Sequence, residues 1–232
     1  MNRICQFFCL SFLILLLADD AKCQKEVPIG TLLTGVPLKT KSYKEMVGSP
    51  YLYEAWFKGA VKLADGKLYN NMKLKYDQVE DQLIFKYGEE PEMSFTSEVR
   101  AFNIYSYTID GEKIEVNFVN GFPPIDEGTE KSYYQVFDPG KPGKMELVKR
   151  SVKKVYELRL YNSATTEQRV EVKNYYYVLI DNHLLKLKRD YRALLEYMKP
   201  HEEKIIKYIK TNKLSFKEDA DFVTLVKYYN TL

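Results

Sequence analysis

The sequence is poor in the residues that most often carry catalytic or metal chemistry. It contains two histidines, one tryptophan and three cysteines among 232 residues. The cysteines are Cys5, Cys9 and Cys23, so all three fall within the first 23 residues. A chain that loses this segment has no disulfide, no thiol nucleophile and no thiolate metal site. Such a chain depends on its hydrophobic core for stability.

An excess of one charge is also lacking. The chain has 35 Lys and Arg against 32 Asp and Glu, which gives a formal net charge of +3. The two signs are mixed along the chain without a polybasic block, which argues against nucleic acid as a partner. The densest basic run contains Lys149, Arg150, Lys153 and Lys154, and we interpret it as one solvated strand face.

Residues 1–23 have the pattern of a secretory signal peptide. Arg3 precedes an apolar run over residues 4–18, which is shorter than the about 20 residues of a comfortable membrane span. A small-x-small pattern ends at Cys23, so the mature chain would begin at Gln24 without a membrane span. An uncleaved anchor and lipidation of Cys23 remain alternatives. Export to the periplasm or to the outer membrane is the expectation.

Most of the chain shows the alternation of antiparallel strands. Residues 58–63 and 67–76 alternate on either side of Asp65-Gly66, which suits a two-residue turn because both positions need a positive φ. A second Asp-Gly pair lies at 110–111. Further strands are predicted at 82–87, 93–107, 113–119, 133–137, 145–148, 152–161, 170–180 and 184–187. So many strands predict an antiparallel meander that forms a strongly curved sheet or an incomplete barrel.

The hydrophobic period becomes helical near residue 190. Apolar residues then recur three and four positions apart, which predicts about three C-terminal helices packed on the sheet. Ser215 followed by Glu218 has the pattern of a capping box that opens the third helix. The predicted organisation is a mainly β (α+β) fold with a signal peptide at 1–23, a β-rich module at 24–189, and helices at 190–232 in the same domain.

No catalytic or metal-binding constellation is recognisable in the sequence. His183 and His201 lie in different elements, so we predict no shared metal, no cofactor and no catalytic residues. The longest loop, 120–131, carries acidic residues whose spacing does not match a calcium-binding EF-hand. Adjacent carboxylates occur at Glu80-Asp81, Glu89-Glu90 and Asp126-Glu127. An exported hydrolase that uses loop carboxylates is therefore the alternative, although neighbours on a strand point to opposite faces.

Tyrosine is abundant, with 20 residues in the chain. Its ring packs while its hydroxyl stays hydrated, which suits sugar stacking or a protein interface. It equally suits half-exposed strand positions in any β protein. The candidate ligand-binding residues are Tyr51, Tyr53, Trp56, Phe122 and Ile125. Trp56 is also expected to anchor the core, because it has a large apolar area.

Several motifs together resemble a known group. They are GSPYL at 48–52, the spacing from Gly59 through Asp65-Gly66 to Asn71, YYYVLIDNHLLKLKR at 175–189, and the helix end KYYN at 227–230. Over most of the mature chain, the sequence resembles a group of uncharacterised exported proteins of Bacteroidota-type bacteria. The resemblance implies an envelope location and a β-rich fold, and it brings no catalytic residues with it.

These observations favour an exported, non-enzymatic envelope protein that acts as a binding or interaction module. Its partner would be an apolar ligand, a sugar or another envelope protein. A curved β meander commonly encloses an apolar ligand, which keeps the first of these options open.

Overall fold

The computed structural model describes residues 35–38, 43, 46–107, 111–138, 145–159, 166–181, 183–188 and 191–232. The predicted signal peptide, the three cysteines and Asp110 of the second Asp-Gly pair lie outside the described residues. Strands account for 49% and helices for 18% of the described residues, so the predicted mainly β class is confirmed. None of the described helices has the length and apolar character needed to cross a membrane.

Twelve strands and three α-helices form the regular structure of the described residues. The strands are β1 (Gly35–Pro37), β2 (Met46–Val47), β3 (Phe57–Leu63), β4 (Leu68–Asp77), β5 (Gln82–Lys86), β6 (Met93–Phe95), β7 (Val99–Tyr107), β8 (Lys113–Val119), β9 (Tyr134–Val136), β10 (Glu146–Arg159), β11 (Thr166–Ile180) and β12 (His183–Leu187). The helices are α1 (Tyr191–Tyr197), α2 (Glu202–Thr211) and α3 (Asp219–Asn230).

The strands form one open sheet in the order β1-β6-β5-β4-β3-β7-β8-β9-β10-β11-β12. Neighbours on this path pair antiparallel, while β2 pairs in parallel with β11. The antiparallel meander is therefore confirmed in part. Its order changes at β3, which pairs with β4 on one side and with β7 on the other, so that β4, β5 and β6 form a separate wing.

The predicted hairpin around Asp65-Gly66 is present, with Gly66 at a φ of +87°. The alternation on β4 is interrupted by one extra residue, because the register with β3 shifts between Gly59 and Val61. Asn71 has a φ of +57° at this bulge. Tyr69 is therefore fully buried, whereas Leu68 beside it is half-buried. A bulge reverses the side-chain alternation in this way.

The core consists of three clusters of buried side chains. The first lies between the strands β3 to β8, and it includes Tyr69, Leu74 and Phe85. The second lies between β10 to β12 and the helices, as predicted for the C-terminal stripes. The third lies on the opposite face of the same strands, and it includes Tyr134 and Tyr177. The strands β10 and β11 are consequently covered on both faces.

The helices are held at their ends by side chains that the sequence patterns did not identify. The amide of Asn230 donates to the carbonyl of Met145 at 2.8 Å and accepts from its N–H at 3.0 Å. The predicted capping box is wrong, because Glu218 makes no capping bond with its side chain. Asp221 takes this role instead, and its carboxylate accepts from the Ser215 hydroxyl at 3.0 Å.

The turn between β4 and β5 approaches β10, although β3, β7, β8 and β9 separate these strands in the sheet order. Asp77 fixes the turn by accepting the N–H of Val79 at 2.8 Å, which is a typical use of Asp in turns. The N–H of Lys153 on β10 donates to the carbonyl of Gln78 at 3.1 Å. One predicted detail changes here, because β10 runs unbroken where two strands were expected.

We expect Gly59→Ala to lower the free energy of unfolding by about 3 kcal/mol. A Cβ at Gly59 would overlap the backbone carbonyl oxygen of Asn103 and lie 2.6 Å from Leu74. The control is Gly66→Ala, where a Cβ meets open space but the φ of +87° is unfavourable. That variant is expected to cost about 1 kcal/mol. Urea unfolding measures both values, and equal losses would contradict the close approach at Gly59.

Candidate functional site

The loop between β8 and β9 places an acidic turn against the C-terminal strands. Ile125 and Gly128 form a β-bridge, and Asp126 between them has a φ of +51°. Asp tolerates this left-handed backbone better than most residues do. Oδ2 of Asp126 accepts the Tyr177 hydroxyl at 2.9 Å and lies 2.9 Å from Nζ of Lys186. The loop is thereby tied to both β11 and β12.

Arg150 is a buried cation on β10 beneath this loop. The residue is 8% exposed. Its Nη2 lies 3.8 Å from Oδ2 of Asp81, which is an ion-pair distance but too long for a hydrogen bond. Its Nε is buried and has no hydrogen-bond partner among the described residues. Because a guanidinium carries five N–H donors, Arg150 retains donor capacity for another acceptor.

Arg150 forms part of the wall of a cavity of about 250 Å³. The other lining residues are Asp126, Glu127, Tyr175, Tyr177 and Lys186. Since one water molecule takes up about 30 Å³ of the liquid, the space admits a small polar group with its hydration. The cavity is therefore polar, and its most deeply buried charge is positive.

The acidic residues at the cavity are each held by a lysine. Hydrogen bonds from Lys186 and Tyr177 lower the pKa of the Asp126 carboxyl. A hydrogen bond from Lys154, whose Nζ lies 2.9 Å away, lowers the pKa of Glu127. Both carboxyls are therefore ionised at neutral pH, and their charges are offset by these lysines. The charge of Arg150 contributes to lowering both pKa values, but the carboxylate within ion-pair distance of Arg150 is that of Asp81.

Asp81 balances that charge incompletely, because its carboxylate has other partners. Oδ1 accepts the Tyr76 hydroxyl at 2.6 Å and lies 3.4 Å from the N–H of Tyr133. Burial raises the pKa of Tyr76 well above its usual value, and the nearby Asp81 charge adds to this effect. The Tyr76 hydroxyl consequently stays protonated and remains a donor to Asp81. Asp81 thus offers Arg150 one distant oxygen.

The predicted binding residues fall in separate places. Phe122 packs edge-on against Tyr134 with ring centroids 5.1 Å apart, and Ile125 belongs to the same cluster beneath the loop. These two residues support the acidic turn, although neither lines the cavity. Tyr53 packs against the first core cluster. The structure therefore does not bring the five predicted residues into one site.

Trp56 is not a core anchor, contrary to prediction. It is half-buried, and it belongs to none of the three core clusters of the described residues. Nζ of Lys75 lies 4.1 Å from the ring centroid of Tyr51 and 5.5 Å from that of Trp56. Nζ of Lys86 lies 5.0 Å from the Trp56 centroid. Tyr51 and Trp56 are therefore brought together in a cation–π group.

The prediction of one solvated basic face on β10 is also wrong. Lys149 lies under the helices and pairs with Asp219 of α3 at 2.7 Å. Arg150 lies beneath the loop on the other face. Nζ of Lys153 donates to the backbone carbonyl of Ser49 at 3.0 Å. The period-two alternation of a strand separates these neighbours, and it is the sequence signal by which Arg150 could have been distinguished from Lys149.

The described residues contain no group of three His, Cys, Asp or Glu side chains that is placed to hold a metal ion. The ring of His201 packs edge-on against Tyr229 with centroids 6.1 Å apart. His183 contacts the carbonyl of Asp181 in its own turn at 2.8 Å. The histidines of the described chain therefore have local structural contacts.

The Asp126 contacts predict a dependence of stability on pH. A carboxyl whose pKa is lowered by folding contributes stability above its unfolded pKa of about 4, and loses it as the pH falls through the lower folded pKa. Asp126→Asn should therefore lower the free energy of unfolding at pH 7, by less than about 1 kcal/mol because the pair is partly exposed. The difference from wild type should shrink below about pH 4.

Urea unfolding at pH 7 and pH 3 checks this expectation. Asn tolerates the left-handed backbone of Asp126, so the variant changes the charge and not the turn. Asp181→Asn is the control, because Asp181 also has a positive φ, of +48°, and lies outside the Arg150 cavity. A difference between Asp126→Asn and wild type that stays constant with pH would contradict the role of the Asp126 charge.

Comparison of the chain with protein-family models, with curated proteins and with solved structures finds no match. The function is therefore argued from the site itself.

Proposed function

We propose that the protein is an exported, non-enzymatic binding module of the cell envelope, and that it binds an anionic group at Arg150. The observation that carries this proposal is the buried guanidinium whose Nε has no partner among the described residues. Carboxylates and phosphates match the guanidinium fork and form charge-assisted hydrogen bonds with it. Export and an envelope location rest on the signal-peptide pattern of residues 1–23.

The cavity favours a small acidic head group on a larger ligand. Its volume of about 250 Å³ accommodates a carboxylate or phosphate with a few neighbouring atoms. Lys186 lies 5.0 Å from the ring centroid of Tyr175, so a second cation and an aromatic surface are adjacent to Arg150. A sugar acid or a phosphate ester combines these features. The sequence suggested an apolar ligand, a sugar or another envelope protein, and the cavity favours an acidic ligand among these classes.

The loop carboxyls support binding over hydrolysis. Hydrolysis by a pair of carboxyls requires one that keeps its proton while the other is ionised. The pKa values of Asp126 and Glu127 are both lowered, and each carboxylate is held by a lysine. This arrangement stabilises a polar cavity and leaves no proton for a leaving group. It favours the binding module over the exported hydrolase.

The proposal includes a strongly curved sheet. The hydrogen bond from the N–H of Lys153 to the carbonyl of Gln78 joins β10 to the turn that follows β4. These two strands are far apart in the sheet order, and a bend of the sheet accounts for their contact. The same bend brings Asp81 to Arg150. The anion site would accordingly depend on two distant parts of the sheet that meet beneath one loop.

We expect Arg150→Met to abolish ligand binding and to leave the fold intact. Removing one partner of an ion pair is costly when the other charge is left buried without compensation. Asp81 is 28% exposed, lies 3.8 Å from Arg150 and keeps its bonds to Tyr76 and Tyr133, so we expect the variant to fold. Native mass spectrometry of the protein purified from its own envelope fraction should show a discrete added mass on the wild type. That mass should be missing from Arg150→Met. The control is Arg169→Met, since Arg169 is exposed on β11.

The outcomes separate the parts of the proposal. A ligand that is retained by Arg150→Met, or lost equally from Arg169→Met, would contradict the assignment of the site. Urea unfolding of Arg150→Met within about 1 kcal/mol of the wild type would exclude misfolding as the cause of a loss. An N-terminus at Gln24 in the envelope fraction is expected for the exported chain, and a protein confined to the cytoplasmic fraction would overturn the location.

A further inference from the structure

A row of lysines crosses the exposed face of three neighbouring strands, β3, β4 and β5. Lys86 of β5 pairs with Lys73 of β4, and Lys73 pairs in turn with Lys58 of β3. Residues that pair directly lie on the same face of a sheet. Since neighbouring strands are about 4.8 Å apart, the row is about 10 Å long at the backbone. Lys58 and Lys73 are exposed, and Lys86 is half-exposed.

This arrangement is unfavourable for the isolated protein. Like charges directly opposite each other destabilise a pair of strands. None of the ion pairs among the described residues involves Lys58, Lys73 or Lys86. The charge of the row is therefore not offset by carboxylates of the described structure. A bound polyanion would supply the missing negative charges.

An aromatic surface adjoins the row. Phe57 of β3 pairs with Leu74 of β4. One position further along the two chain segments, Trp56 therefore lies beside Lys75, on the same face as the lysine row. Two ammonium groups lie close to the indole, at 5.5 Å for Lys75 and 5.0 Å for Lys86. The two ammonium groups hold the half-buried indole in place, and its exposed part can contact the C–H groups of a sugar ring beside the row.

We infer that this face docks an acidic polysaccharide, with its anionic groups along the lysine row and one sugar ring on Trp56. The positive charge of the row favours a polyanion, and the fixed indole of Trp56 provides a contact surface for a sugar ring. This inference goes beyond the anion site at Arg150 and does not depend on it. The two sites differ in kind. The cavity admits one acidic group, whereas the lysine row binds several acidic groups along a polymer.

The distribution of apolar side chains favours a polysaccharide over a lipid surface. Peripheral membrane binding buries an apolar face in the lipid boundary. The exposed large apolar residues of the described chain are Val36, Val47, Ile114, Tyr156, Leu158 and Val172. None of them lies on β3, β4 or β5, where the lysine row is. The row therefore lacks the apolar surface that would insert between lipids.

Trp56 is the single tryptophan of the chain, so its fluorescence reports on this face. The experiment titrates the full chain with a polyuronate, alginate, and in parallel with neutral dextran. Alginate is expected to change the emission of Trp56 in a saturable manner, with an affinity that falls as salt is added. Dextran is expected to change nothing. Alginate binding that leaves the emission unchanged would place the polysaccharide elsewhere and overturn the inference.

A triple variant tests the row directly. Lys58→Gln with Lys73→Gln and Lys86→Gln should weaken alginate binding at least about tenfold, given the contribution of single lysines at anionic surfaces. The matched control replaces Lys204, Lys207 and Lys210, three exposed lysines of α2, by Gln. An equal loss in the control would show a nonspecific charge effect. Binding to anionic phospholipid vesicles or to single-stranded DNA as tight as to alginate would overturn the choice of partner.

Arg150→Met keeps this test separate from the proposed function. Alginate can also present an acid group to Arg150, so the readout is the Trp56 emission. Arg150→Met is expected to show the same alginate-dependent change in emission as the wild type, since Arg150 lies in the cavity beneath the loop and the row lies on β3, β4 and β5. A loss of this emission change in Arg150→Met would show that the cavity captures the polymer, and it would contradict a separate docking face.

Discussion

The rest of the structure depends on the pairing of β10 with β11. Their residues pair without interruption, from the pair of Glu146 with Leu179 to the pair of Arg159 with Thr166. At one end of the pair, one face carries the helices and the other carries the loop between β8 and β9. A strand that is covered on both faces must direct successive side chains into different environments. Arg150 and Lys149 are neighbours in sequence for this reason and have unrelated partners.

The buried charge of Arg150 connects the two ends of the sheet. Asp81 lies in the turn between β4 and β5, whereas the cavity is lined by the loop between β8 and β9 and by β11 and β12. Asp126 and Glu127 each have a lysine partner that lowers the pKa of the carboxyl and holds it in its ionised form. The hydroxyls of Tyr76 and Tyr177, whose pKa values are raised chiefly by burial, remain donors to Asp81 and Asp126, respectively. The result is a guanidinium fixed in position by acidic groups that do not use all of its donors.

The local elements were predictable from the sequence, while the contacts between elements that are distant in sequence were not. Alternation around Asp65-Gly66 and the helical stripes after residue 190 depend on near neighbours, and both predictions were confirmed. The bulge at Asn71 and the cap at Asp221 were missed, because each depends on a backbone geometry that similar sequences need not adopt. The Arg150 cavity joins residues from β10, β11, β12 and the loop. No spacing along the chain encodes such a meeting, although alternation on β10 was enough to separate Arg150 from Lys149.

The bond between Asn230 and Met145 has a consequence for the timing of folding. Its partners are 85 positions apart, and the second core cluster uses Phe222, Leu225 and Val226 of α3. That cluster cannot be completed until α3 has been synthesised, so one apolar face of β10 to β12 stays uncovered until then. The first cluster lies between the strands β3 to β8 and does not share this delay. A chain with this order of assembly completes its C-terminal half only at the end of its synthesis.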